Sequence, residues 1–155
     1  MTDLAKGLRQ VPFFQSLEDF QLQHLIKRGK HVSLESEAVV FRRGDAGNCM
    51  YVILSGQIQI YLEGAEGRTA VLRVLEPGDF FGEMSLLDGG ARSANARAVS
   101  SCELFILERA AFLDLLTTSP ELLSKVFAGL TERLRATDER FLRVENQLRQ
   151  FENRA

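Results

Sequence analysis

"PGDFFGEMSLLDGGARSANARA", Pro77 to Ala98, places one acid and one base at the two ends of a short apolar turn. Glu83 follows Phe80, Phe81 and Gly82, while Arg92 follows the pair Gly89 and Gly90 and is flanked by small residues. A guanidinium is planar, permanently charged and matched to two oxygens of a phosphate, so Arg92 is a natural anion anchor. An ionised carboxylate only accepts hydrogen bonds and repels a phosphate. Both groups belong in one site if the ligand carries an anionic phosphate and, separately, a hydroxyl donor.

A ribose 3′,5′-cyclic phosphate offers both, because its phosphodiester bears one negative charge and its one free ribose hydroxyl is the 2′-OH. Glu83 would accept from that hydroxyl while Arg92 holds the exocyclic oxygens. Gly82 lets the backbone approach a ligand, and "EMSLLD" predicts one or two helical turns whose first N–H groups face the phosphate. Gly89 and Gly90 then turn the chain so that Arg92 points back, Ser93 adds a hydroxyl, and Ala91, Ala94 and Ala96 leave room for a ring. The plain alternative is an exposed Glu83–Arg92 ion pair on an ordinary glycine-rich turn, which would contribute little.

Outward from this stretch, Lys30 to Glu108 consists of short runs of Val, Ile, Leu, Phe and Tyr cut by glycines, the texture of β structure with tight turns. "QIQIYLE" alternates Ile58, Ile60 and Leu62 with Gln57, Gln59 and Tyr61, a strand with one wet face, and "GAEG" at 64 to 67 is a hairpin loop into "TAVLRVLE". Several short strands at regular spacing imply a closed β-roll or jelly roll. Before it, Ser16 and Asp19 read as a capping-box start to a helix carrying Leu17, Phe20, Leu25 and Ile26 toward a core and ending near Gly29. After it, "RAAFLDLLTTS" reads as a short amphipathic helix, and Ser119-Pro120-Glu121 as the start of a long one. Leu123, Phe127, Leu130, Leu134, Thr137, Phe141, Val144, Leu148 and Phe151 are spaced by four and three, the seam of a two-stranded coiled coil. Such a stripe implies a homodimer through the C-terminal helix, the alternative being that its first half packs on the roll alone.

The stretch from Pro77 to Ala98 resembles the phosphate-binding cassette of the cyclic nucleotide-binding domain, found in catabolite-activator-type bacterial regulators, cyclic-nucleotide-dependent kinases and cyclic-nucleotide-gated channels. "FRRGDAGNCMYVILSGQIQIY", Phe41 to Tyr61, is similar to the early strands of that family. The resemblance implies a mainly β fold with flanking helices, an eight-stranded β-roll with an N-terminal helix and a long C-terminal helix that caps the base. It divides the chain into a roll with its helices, residues 1–118, and a capping and coiled-coil helix, residues 119–155. It places Gly82 and Glu83 at the ribose, Arg92 and Ser93 at the cyclic phosphate, and Ala94 in backbone contact. The candidate ligand-binding set is Phe81, Gly82, Glu83, Met84, Ser85, Arg92, Ser93, Ala94, Thr137 and Asp138.

Thr137 falls where the capping hydroxyl of catabolite-activator-like dimers would lie, and it equally fits a polar seam residue that sets register. Asp138 could accept from the amine of adenine, from the ring N–H and amine of guanine, or pair with Arg135 on a solvated face. The ligand expected from the resemblance is cyclic AMP, with cyclic GMP kept open by Ser93.

Composition agrees with a folded, water-soluble regulator: 45% apolar and 26% charged residues, with a net charge of −2 that gathers no nucleic acid. No apolar run reaches membrane-span length and "MTDLAKGLRQ" is no secretion signal, which implies a cytoplasmic protein without membrane partners. Cys49 and Cys102 form no CxxC pair and read as buried thiols of a reducing compartment. A metal-dependent cupin-like oxygenase would need clustered ligands, and His24 and His31 have none in spacing, so neither a metal nor an enzyme activity is expected. No helix-turn-helix follows the long helix before Ala155, so DNA binding by this chain alone is not expected. A ligand-independent dimeric scaffold with a degenerate pocket is the competing reading, and the retained Glu83 and Arg92 speak against it.

Overall fold

The structure is a computed structural model that describes residues 3–153. Eight strands form two antiparallel four-stranded sheets. One holds β1 (Lys30–Leu34), β8 (Cys102–Glu108), β3 (Cys49–Ser55) and β6 (Phe80–Phe81) in that order. The other holds β2 (Val39–Phe41), β7 (Asn95–Ala98), β4 (Ile58–Glu63) and β5 (Thr69–Leu75). This is the expected eight-stranded roll with flanking helices.

Period-2 geometry gives β3 two apolar faces with different tasks. Tyr51 and Ile53 point into the roll with Ile58, Ile60, Phe81, Ala96 and Leu104. Met50 and Val52 point outward with Phe105 and Leu107, onto a second core supplied by helices. Those helices are α1 (Asp3–Gln10), α2 (Asp19–Arg28), α4 (Arg109–Thr118) and the first turns of α5 (Pro120–Asn153). Both faces of β3 are therefore buried, which is why "CMYVILS" is a nearly unbroken apolar run.

Three local expectations are corrected. The capping box of α2 is made by Glu18 and Gln21, not by Ser16 and Asp19, because the N-cap of the helix is Glu18. Phe20 is exposed and Leu22 takes the core position, since a helix starting at Asp19 turns Leu22 and Leu25 inward. Tyr61 is buried where alternation predicted a wet position: pairing of β4 with β5 shifts register between Ile60 and Tyr61. The Arg97 guanidinium covers its ring at 4.5 Å.

Two further local expectations hold. The loop after β4 closes with the Gly64 N–H donating to the Arg68 carbonyl, as the hairpin reading required. Ser119 Oγ accepts from the Leu122 N–H and starts α5, a helix of 34 residues. Leu122 and Val126, one turn apart, anchor α5 to the outer core, and Lys125 donates to the Pro12 carbonyl. The predicted seam is divided: Leu130 packs partly buried against the outer core, Leu123, Phe127, Leu134, Phe141, Val144 and Leu148 remain exposed, and the side chain of Phe151 lies outside the described residues. This apolar stripe along α5 is left uncovered by the described residues.

Gly29 ends α2 for a steric reason. A Cβ there would lie 2.1 Å from Cζ of Phe105, a fully buried ring with no room to retreat. Gly29→Ala should therefore destabilise the fold by about 2–3 kcal/mol, read as a lower urea midpoint with an unchanged slope.

Candidate functional site

The cassette is β6, a left-handed turn at Gly82, α3 (Glu83–Asp88), a second left-handed turn at Gly89, and the loop into β7. It is bound to the β2–β3 loop through the backbone. The Gly44 N–H donates to the Arg92 carbonyl, and the Arg92 N–H donates to the Asp45 carbonyl at 2.8 Å. Asn95 fixes the next turn: its Oδ1 accepts from the Arg43 N–H and its Nδ2 donates to the Tyr61 carbonyl. Arg92 is thus positioned by main chain on both sides, and its side chain runs into the roll.

The guanidinium is buried, at 4% exposure. Nη1 donates to the Gly82 carbonyl and Nη2 to the Cys49 carbonyl, both at 2.7 Å. Among the described residues Nε makes no hydrogen bond, and no ion pair holds the charge. Its face lies 4.4 Å from the Phe41 ring centroid and 5.6 Å from that of Tyr51. Tyr51 stacks on Phe81, and its hydroxyl accepts from the Cys49 thiol at 3.3 Å. Burial, reinforced by that thiol, pushes the Tyr51 phenol well above its ordinary range, so it stays neutral beside the cation.

Glu83, at 1% exposure, opens α3 and lines the same cavity as Arg92. Phe81, Gly82, Met84, Ser85, Ser93 and Ala94 line it too, so eight of the ten sequence-predicted residues meet in one place. Thr137 and Asp138 do not: they sit on the exposed side of α5, away from the cavity lining. The cavity encloses about 40 Å³, far below the roughly 300 Å³ where small-ligand pockets begin.

Three lining residues were not singled out from the sequence: Phe41, Ile60 and Arg73. Arg73 had a signal. It pairs with Ile60 and shares parity with buried Leu75, so it is a cation on the inward face of β5. Burial, with Arg140 on α5 adding to it and Asp79 opposing, lowers its pKa from the usual arginine range. Arg73 also borders a cleft of about 700 Å³ beneath α5, which Gly129, Glu132 and Ala136 line from the helix side. The cassette cavity and the underside of α5 therefore meet at one residue.

The Cyclic nucleotide-binding domain profile matches residues 31–119, from β1 through α4. The chain belongs to that family. The Cyclic AMP receptor protein of Thermus thermophilus is 40% identical over 99 residues, which span 64% of this chain and 46% of that protein. The crystal structure of Thermus thermophilus Catabolite Activator Protein superposes with a TM-score of 0.73 at 34% identity, covering 82% of this chain and 60% of the other. The sensor domain of the transcriptional regulator DNR from Pseudomonas aeruginosa gives a TM-score of 0.74 at 29% identity, covering 86% and 92%. The chain spans about half the length of the Thermus receptor it matches. Among the described residues no group of His, Cys, Asp and Glu is arranged to hold a metal ion, and no helix is long and apolar enough to cross a membrane.

Gly82 joins the family cassette to Arg92. Its φ of +83° is costly for any other residue, and a Cβ would lie 2.7 Å from Nη1 of Arg92. Gly82→Ala should cost about 2 kcal/mol or more from backbone strain and displacement of the guanidinium, measured as a drop in urea midpoint relative to the unaltered protein.

Proposed function

We propose that the chain is a cyclic nucleotide sensor, with cyclic AMP as its ligand, that converts binding into a new position of α5. The observation that carries this reading is that Glu83 and Arg92, both buried, line one cavity. In the proposed complex Arg92 and Ser93 hold the exocyclic oxygens of the cyclic phosphate, Glu83 accepts from the 2′-OH, and Ala94 contributes backbone. Gly82 lets the ribose close on the turn, while Phe81, Met84 and Ser85 form the walls. Cyclic AMP is favoured over cyclic GMP by the similarity to the Cyclic AMP receptor protein of Thermus thermophilus.

The small cavity and the wide cleft beneath α5 support a moving helix. Residues 1–118 act as the binding unit and residues 119–155 as the transmitting one. Ligand shifts the population of helix positions because it touches α5 in only one of them. In that position Thr137 caps the base, Asp138 lies beside it, and the exposed seam from Leu123 to Leu148 pairs with a second copy in the cytoplasm.

Arg92→Ala removes charge-assisted bonds to the phosphate and leaves that anion facing Glu83. Calorimetric titration with cyclic AMP and cyclic GMP should show wild-type binding and at least a 100-fold loss in the variant, on the order of 3 kcal/mol; equal affinities would overturn the cassette reading. Thr137→Val should weaken cyclic AMP about tenfold, the scale of one lost hydrogen bond, with the dimer intact by sedimentation velocity. A Thr137→Val protein that lost its dimer yet bound normally would make Thr137 a register residue alone.

A further inference from the structure

The Arg92 guanidinium is a charge moved out of water with no carboxylate paired to it among the described residues. Two main-chain carbonyls take its edge, and two aromatic rings take its face. Ring faces carry the negative part of an aromatic quadrupole, and the attraction grows when the cation is desolvated. The nearer ring is Phe41, at 4.4 Å, which stands on β2, outside the cassette and outside α5. Phe41 is itself held by two rings, Tyr51 at 5.8 Å and Phe81 at 5.9 Å, so its plane is fixed by packing rather than by chance.

Edge and face are different resources. A phosphate needs the N–H edge of the guanidinium, and a ring in contact with the face does not compete for it. From this geometry we infer that Phe41 is a positioning residue for anion binding: it holds the guanidinium plane of Arg92 in place and dry, and it keeps that contact when the cyclic phosphate takes the edge. The inference rests on the cyclic nucleotide reading of the site. It assigns to β2 a part in binding that the cassette alone does not contain. Phe41 also lines the cavity, so the same ring that orients the cation closes one wall of the site.

The test compares Phe41→Leu and Phe41→Tyr in the full chain by calorimetric titration with cyclic AMP. Leucine keeps apolar volume and loses the ring face, so binding should weaken by about 5- to 30-fold, the scale of a partly to fully desolvated cation–π contact. Tyrosine restores the face and should bind within about twofold of wild type. A second readout needs no variant: ring currents should displace the Arg92 side-chain proton resonances upfield, and the displacement should persist at saturating cyclic AMP. Should Phe41→Leu unfold, persistence or loss of that displacement decides alone. Wild-type affinity in Phe41→Leu, or collapse of the displacement on saturation, overturns this inference by itself. No binding by the unaltered chain would overturn the site reading and this inference together.

Discussion

Everything at this site depends on one buried guanidinium held by neutral groups. An ion taken from water costs several kcal/mol even after relaxation, and Arg92 meets that cost with two carbonyls and two ring faces. Those partners are supplied by β2, by the start of β3 and by the turn at Gly82, so the charge ties together three parts of the chain distant in sequence. A positive charge in a dry environment, with ring faces on its plane and, among the described residues, no carboxylate ion-paired to it, attracts an anion more strongly than the same side chain at the surface.

The roll makes this arrangement possible through its layering. Strand β3 gives one face to the helical core and the other to the roll interior, so Tyr51 can support Arg92 while Met50 and Val52 join the core that α1, α2, α4 and α5 also enter. The helices that anchor α5 and the aromatic floor of the cavity thus share a strand. Arg73 provides the second connection, since it borders both the cassette cavity and the cleft under α5. The cassette cavity and the long helix are thus joined through β3 and through Arg73.

Much of this was legible in the sequence because the relevant signals are local. The cassette is contiguous, its glycines sit where left-handed turns occur at Gly82 and Gly89, and Ser119-Pro120 marks the start of α5 without tertiary information. What escaped is non-local. Phe41 is 51 residues from Arg92, and nothing in its own strand announces a cation above its ring. The inward parity of Arg73 depends on pairing with Ile60, and the register shift that buried Tyr61 depends on the same sheet. The Leu122 and Val126 stripe lies beside the heptad seam, and periodicity alone could not say which of the two faces the roll. Phe20 misled because helical spacing puts Leu22, not Phe20, on the face of Leu25.

The proposed site recognises a sugar hydroxyl through Glu83 and a cyclised phosphate through Arg92. Titration of the unaltered protein with cyclic AMP and with its 2′-deoxy analogue tests that most directly, since the two ligands differ in the one group assigned to Glu83. The account predicts one site per chain, with the deoxy ligand weaker by about 10-fold or more, the scale of a hydrogen bond to a charged acceptor. Equal affinity for the two ligands, or no binding of either, would contradict it.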